Sequence, residues 1–456
     1  MKYFLFLRNW LIKYDYILIF LIFFILFCLT IQKQKLEFYS LQNAVVESLV
    51  EQHVWGMKGV AYSSNWFFQN LQTKTPQLTY IGDAYEYNGL WYPAKSYTPH
   101  YWAAVFYALL RLMGLSFATH YQLVASLLLI TSSSLLASIG TALTYCVAKQ
   151  ITSSSLKAVI ISVSIAFGSL LSGGINVRNE ETFAYWLFTI VYLTTFIKFK
   201  RFNIMIWQVV GLYYSVYSLP AATLLLPLGL YRIYITSMKK KWLAFLMINL
   251  FCITTIAFHN YLIFGRWVFS NYSIGIEKVA GYKLGLFAFS WPNFMEKIQF
   301  YFINKQTSIF INYPLIILAA IGLIRSNTAL LNKFCTFFTV LGFIFYITNI
   351  GETTGWVGYG SGRYMSGIFP VLYIYLSYGL KKFNFWLWLA FIVAAVKSIS
   401  TGLFFYFSPI RNVYDRSGDL FSWLPFQGNF FTILAITFVL GTTLPLLVKQ
   451  IRKIYS

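Results

Sequence analysis

Long apolar runs recur along this chain, from residues 16–32 near its start to residues 430–448 near its end, and they decide what it can fold into. A run of about twenty apolar residues is long enough to cross a bilayer, and no single soluble core could bury so many of them. Only 11% of the residues are charged, against about 25% in an ordinary soluble domain. Inside hydrocarbon a segment must satisfy its own backbone groups, which leaves helices or closed barrels. Barrel strands alternate apolar and polar residues over about ten positions, and these runs do not alternate. The expected fold is therefore an all-α polytopic membrane protein.

Spans are expected at about residues 16–32, 122–147, 157–175, 182–197, 203–218, 220–234, 242–262, 313–324, 333–350, 368–380, 385–407 and 430–448, about twelve in all. The pair on either side of Ser218-Leu219-Pro220 is short, and a broken hairpin at the proline is expected there. The first span follows Lys2, Arg8 and Lys13 as a signal sequence would, but no small-residue cleavage site precedes Lys33, so it is expected to stay as an anchor.

Charge supplies the topology. The chain carries 35 Lys and Arg against 13 Asp and Glu, a net +22. With the N-terminus cytoplasmic, alternate loops hold Lys149, Lys157, Lys198, Lys200, Arg201, Lys239 to Lys241, Lys333, Lys381, Lys382, Arg452 and Lys453, while the carboxylates other than Asp15 fall on the opposite side. Basic residues in short loops are retained inside during insertion. The positive balance is thus a topology signal and not a nucleic-acid surface. Both termini are expected in the cytoplasm of a cell-envelope membrane, with a periplasmic or extracellular active face. Residues 101–115 are short for a span and interrupted by Arg111, and the basic loops keep their side only if this segment does not cross, which is the expectation.

One domain, 1–456, then presents two large outer loops, 33–118 and 264–312, and no sizeable soluble module. The first loop gathers Glu37, Glu47, Glu51, Asp83 and Glu86, five of the chain's thirteen carboxylates. Residues 38–50 set Phe38, Leu41, Val45 and Leu49 on one stripe and Gln42, Asn43 and Glu47 on another, the pattern of a juxtamembrane helix lying on the bilayer surface. Cys28, Cys146, Cys252 and Cys335 all lie in apolar runs, which points to buried thiols rather than disulfides or zinc. His53, His100, His120 and His259 show no metal-ligand spacing.

Four motifs in order carry a resemblance. They are Glu37 straight after the first span with Tyr87-Asn88-Gly89-Leu90-Trp91-Tyr92-Pro93-Ala94-Lys95 later in the same loop; Arg178 with Glu180 and Glu181; Phe258-His259-Asn260-Tyr261; and Gly360-Ser361-Gly362-Arg363-Tyr364. Together they resemble the polyprenyl-phosphate-sugar-dependent GT-C glycosyltransferases, including the aminoarabinose and protein mannosyl transferases. The chain departs from those relatives where Glu37 stands for an aspartate, where Lys95-Ser96-Tyr97-Thr98-Pro99 loosens a Lys-x-Pro, and where Ser361-Gly362-Arg363 replaces Gly-Pro-Arg.

The resemblance implies transfer of a sugar from a polyprenyl-phosphate donor to an acceptor at the outer face. Such chemistry needs a carboxylate to take the acceptor proton: Glu37 is favoured, Asp83 is its rival, and Glu181 assists either. It needs cations at the lipid phosphate: Lys95 and Arg363, backed by Arg178 and Arg266. It needs aromatic faces and amides for the sugar: Tyr85, Tyr87, Asn88 and Trp356. Glu180 and Glu181 are candidate ligands for a divalent cation, Mg or Mn, although the sequence leaves a metal requirement and the oligomeric state open. The expected partners are a lipid-linked sugar and membrane lipid, with no nucleic acid. A flippase or transporter of lipid-linked sugars is the alternative, with an O-antigen polymerase or ligase as a third reading; a carrier would hold ionisable residues at mid-membrane and show repeated halves.

Overall fold

The computed structural model describes residues 15–31, 40–57, 80–81, 84–93, 96–178, 180–197, 202–237, 241–269, 274, 291–303, 308–349 and 361–407, with isolated positions 436, 439 and 443. The chain divides into two units. One comprises Met1–Leu143, Gly174–Ser290 and Phe337–Gly351; the other comprises Thr144–Gly173, Trp291–Thr336 and Glu352–Ser456. Helices dominate, as the apolar runs require. Among the described residues four are long and apolar enough to cross a membrane: Phe117–Thr152, Trp242–Phe264, Leu330–Thr348 and Phe385–Phe407. Shorter apolar helices include Asp15–Leu29, Ser155–Phe167 and Leu315–Arg325. The chain is a helical membrane protein, and the expected last span, 430–448, lies almost wholly outside the described residues.

In the first unit, helices Glu180–Thr194 and Phe202–Ser218 pack together, with the Ser215 hydroxyl donating to the Ala184 carbonyl at 2.7 Å. The break expected at Pro220 is present. Leu219 is extended (φ −149°, ψ 128°), because proline disfavours helical backbone in the residue before it. A 3₁₀ segment, Pro220–Leu225, then leads into Leu226–Ser237. At the far end of this group Arg232 donates to Thr195 Oγ1 at 3.2 Å and to its carbonyl at 3.3 Å.

Two features of the first loop depart from the sequence expectation. The first is a small antiparallel sheet, β1 (Tyr80–Ile81), β2 (Ala84–Tyr87) and β3 (Leu90–Pro93), where the described residues are otherwise mostly helical. Its tight turn is Asn88-Gly89, at φ +50° and +75°. Two consecutive left-handed residues give the turn whose twist matches paired strands, and Asn-Gly is its strongest local signal. The sheet corrects the all-α expectation: apolar length, which marks spanning helices, carries no information on a short hairpin in a polar loop. Met57 extends the sheet by pairing with Trp91, donating to its carbonyl at 2.7 Å.

The second is the helix Ser40–Glu47, whose polar stripe does not face outward. Gln42, Asn43 and Glu47 are buried, as are Ala44, Val45 and Val46. A surface helix would expose one stripe; this one is enclosed on both. Its apolar residues join Met57, Tyr85, Tyr92, Tyr97, Ala103, Tyr107, Phe117, Val124, Leu128 and Phe264 in one core. The helix Thr98–Leu112 packs into the same core. Pro99 stands in its first turn, where a missing N–H costs nothing.

In the second unit, helices Ser155–Phe167, Leu315–Arg325 and Phe385–Phe407 meet around the segment Ile368–Lys382. The Tyr373 hydroxyl donates to the Gly168 carbonyl at 2.6 Å, and Ser172 Oγ donates to the Gly402 carbonyl at 3.2 Å. Gly402 lets the backbones approach closely, since a Cβ there would collide with the Phe167 carbonyl.

Candidate active site

The first unit concentrates buried polar side chains at one place. Three segments build it: the helix Ser40–Glu47, the start of the helix Thr98–Leu112, and the turn that runs through Asn176 and Arg178 into the helix Glu180–Thr194. Asn43, His100, Asn176, Arg178, Glu180 and Glu181 are each 7% exposed or less, in a chain whose apolar composition supplies few such groups.

A local irregularity sets the turn. The long helix from Phe117 changes to a π-turn at Ile130–Ser134, which widens the backbone and frees groups for partners outside it. Ser133 Oγ there donates to the Val177 carbonyl at 2.8 Å, and the Trp102 indole donates to the Thr131 carbonyl at 3.0 Å. Asn176 Nδ2 donates to the Thr30 carbonyl at 3.2 Å, and Thr182 Oγ1 to the Gly174 carbonyl at 2.9 Å. The turn is thereby tied to two neighbouring helices and across its own ends, and Arg178 is buried on it.

Arg178 Nη2 donates to Asn43 Oδ1 at 2.7 Å, and Asn43 Nδ2 donates to the Tyr121 hydroxyl at 3.0 Å. Glu180 Oε1 lies 3.6 Å from His100 Nε2, both buried. Glu180 and Glu181 occupy the first turn of their helix, where the unpaired N–H groups and the helix dipole favour negative charge. A cation bonded to an amide and a carboxylate beside an imidazole thus lie buried on this turn and its neighbouring helices, with Glu181 buried next in sequence to Glu180, away from bulk water, where electrostatic interactions are strongest.

A second carboxylate pair lies along the first loop. Glu51 forms an ion pair with Arg111 Nε at 3.1 Å and accepts from the Tyr107 hydroxyl. Glu47, one helical turn away, is 2% exposed, and neither of its oxygens has a hydrogen-bond partner among the described residues. Burial, reinforced by the Glu51 charge and opposed by Arg111, pushes its carboxyl up to about 8.

Several sequence candidates fall on this frame. Arg178, Glu180 and Glu181 are all buried, Arg178 bonded to Asn43 and Glu180 beside His100. Tyr85 is fully buried against Tyr92 and Phe264, so its ring serves the core. The Tyr87 hydroxyl donates to the Phe264 carbonyl at 3.0 Å. Asn88 is exposed at the hairpin turn, and Arg266 is also exposed. Glu37, Asp83, Lys95 and Trp356 lie outside the described residues, as does the Arg363 side chain, whose backbone is in the 3₁₀ segment Ser361–Gly367. Among the described residues no three His, Cys, Asp or Glu side chains converge as metal ligands, so Glu180 and Glu181 lack a third such partner there. Asn43, Glu47 and His100 were not picked out for this site from the sequence. The available signal was Gln42, Asn43 and Glu47 on one stripe of a helix with few other charges.

No family model matches the sequence, and no curated protein matches it. Among solved structures the chain is similar to the crystal structure of ArnT from Cupriavidus metallidurans bound to undecaprenyl phosphate. The two share 10% identity over 94% of this chain and 77% of that chain, with a TM-score of 0.42.

Proposed function

We propose that this protein is an integral membrane glycosyltransferase of the GT-C kind, moving a sugar from a polyprenyl-phosphate carrier to a hydroxyl of an acceptor at the outer face of a cell-envelope membrane. The observation that carries the reading is the buried group of Arg178, Glu180, Glu181, His100 and Asn43. Ionisable residues in a membrane-embedded chain are costly to bury and usually serve function. This group has the charges that glycosyl transfer needs, and three of its members, Arg178, Glu180 and Glu181, belong to one of the motifs that carry the resemblance.

In the reaction, the acceptor oxygen attacks the anomeric carbon while the bond from that carbon to the phosphate oxygen breaks. The bonding pair leaves with the phosphate, and the acceptor proton goes to a carboxylate. Arg178 offsets the charge that develops on the phosphate; by sequence, Lys95, Arg363 and Arg266 belong to the same task. Glu181 takes or relays the proton, with Glu37 and Asp83 the other carboxylates named by the resemblance. Glu180, beside His100, keeps that imidazole oriented. A divalent cation would be held by Glu180 and Glu181, and no step here depends on one.

Retention of carrier lipid tests the donor side of this reading. Native mass spectrometry of the purified protein should detect polyprenyl phosphate bound to the wild type and weakened binding in Arg178→Gln. Equal retention by both proteins contradicts the role given to Arg178.

A further inference from the structure

His259 has both ring nitrogens engaged by phenols. The Tyr101 hydroxyl lies 2.5 Å from Nε2, and the Tyr217 hydroxyl lies 3.3 Å from Nδ1. Tyr217 also donates to Asn260 Oδ1 at 3.0 Å, and Asn260 Nδ2 donates to the Val268 carbonyl at 2.8 Å. The direction of this chain is forced from its end. A carbonyl only accepts, so the Asn260 amide nitrogen faces Val268 and its oxygen takes the single Tyr217 proton. The Tyr217 oxygen is left to accept, which requires the proton of His259 on Nδ1. Nε2 then carries a lone pair and takes the proton of Tyr101. At the other end the Trp55 side chain hydrogen-bonds the Tyr101 phenol, and an indole N–H only donates. Ser96 also hydrogen-bonds the Tyr217 phenol, whose oxygen can accept from both the serine and Nδ1, so with Tyr217 donating to Asn260 the chain from Trp55 to Val268 runs in one direction.

The consequence falls on Tyr101. Its own proton is committed to His259, so to a ligand its oxygen offers an acceptor and no donor. Tyr101 and His259 are partly exposed, and Trp55 is 37% exposed. The Tyr97 hydroxyl donates to the Trp55 carbonyl at 2.5 Å, which fixes the tryptophan beside the histidine. The Trp55 and His259 ring centroids lie 6.3 Å apart, edge to face. The same Tyr97 ring has its centroid 5.9 Å from that of His259 and 6.2 Å from that of His100, the partner of Glu180. The phenol–imidazole pair thus adjoins the buried charges.

We propose that Tyr101, oriented by His259, Tyr217 and Asn260, is a specificity-determining contact for a sugar ring, accepting a hydrogen bond from one ring hydroxyl beside the apolar face of Trp55. The sugar as ligand rests on the glycosyltransferase reading; the acceptor-only state of Tyr101 does not. Tyr101 is assigned to selection of the sugar and Glu181 to the proton of the acceptor, so the two roles are separable.

The test uses the full chain in lipid nanodiscs, labelled with ¹⁵N-histidine. The chain has four histidines, and His259→Gln identifies the resonances of His259. The proton should reside on Nδ1; a proton on Nε2 overturns the proposal. Methyl glycosides of glucose, mannose and arabinose are then titrated, together with derivatives in which one hydroxyl at a time is replaced by fluorine, which accepts but does not donate. Replacement at one position should weaken binding roughly tenfold, the worth of one hydrogen bond. Tyr101→Phe should bind the parent glycoside as weakly as the wild type binds that derivative, with no further loss on fluorination. Tyr217→Phe keeps Tyr101 and Trp55 but releases Nδ1, so Tyr101 regains a proton to donate and the preference for hydroxyl over fluorine should shrink. No glycoside perturbing His259, or a full preference retained in Tyr101→Phe, overturns the proposal. Sugar binding without transfer from any polyprenyl-phosphate donor refutes the transferase reading and leaves this site standing. Transfer with no discrimination at Tyr101 does the reverse.

Discussion

Replacing Glu47 by glutamine should remove a pH dependence of stability that the wild type carries. The Glu47 carboxyl is buried without a hydrogen-bond partner among the described residues and is raised from 4.5 to about 8, chiefly by burial, then by Glu51, with Arg111 opposing. The folded state therefore binds the proton more tightly than the unfolded chain. The stability this contributes is complete below the unfolded value near 4.5, declines as pH rises, and is gone above about 8. At about 1.4 kcal/mol per pH unit the total is on the order of 5 kcal/mol, a ceiling that relaxation of half-exposed Arg111 and Glu51 lowers to a few kcal/mol. Glutamine has nearly the same shape and no charge to bury. Thermal unfolding in a mild detergent from pH 5 to pH 9 should show the wild type losing stability across that range and Glu47→Gln changing little. Arg111→Gln removes the opposing cation and raises the folded value further, so its decline should extend to higher pH and run deeper. A wild type as flat as Glu47→Gln, or a variant that declines as steeply as the wild type, refutes the argument.

Other outcomes follow from particular contacts. Gly402→Ala should destabilise the second unit by about 1–3 kcal/mol, read as a lower melting temperature, because the new methyl meets the Phe167 carbonyl. Gly89→Ala forces a side chain onto φ +75° at about 1–2 kcal/mol, and hydrogen exchange at residues 84–93 should quicken while distant helices keep their protection. Asn43→Ala and Arg178→Ala should couple by about 1–3 kcal/mol in a double-mutant cycle of stability, since each removes one side of the same buried, charge-assisted hydrogen bond.

That the chain is helical and membrane-embedded was legible from length and apolarity alone, because those properties act locally. Helix Phe385–Phe407 has the bounds expected from sequence, and the break before Pro220 follows from proline chemistry. Arg178, Glu180 and Glu181 were named by a motif; that all three are buried was not legible, since loop charges of this kind are ordinarily solvated. The inward turn of Gln42, Asn43 and Glu47 was not, since periodicity shows that two stripes differ and not which one is enclosed. His100 and Tyr101 escaped notice for a related reason: their partners, Glu180 and His259, lie far along the chain, and only the packing of several elements brings them together. The hairpin at Asn88-Gly89 was a local signal that could have been read.

The most direct measurement is transfer of radiolabelled sugar from a panel of polyprenyl-phosphate donors by reconstituted wild type, Glu181→Gln and Arg178→Gln, matched for folded protein by gel filtration. The account predicts transfer by the wild type from at least one donor and a loss of about a hundredfold or more in each variant, the usual effect of removing a proton acceptor or a charge that stabilises the transition state. Transfer undiminished in both variants, or none by the wild type from any donor, would contradict it.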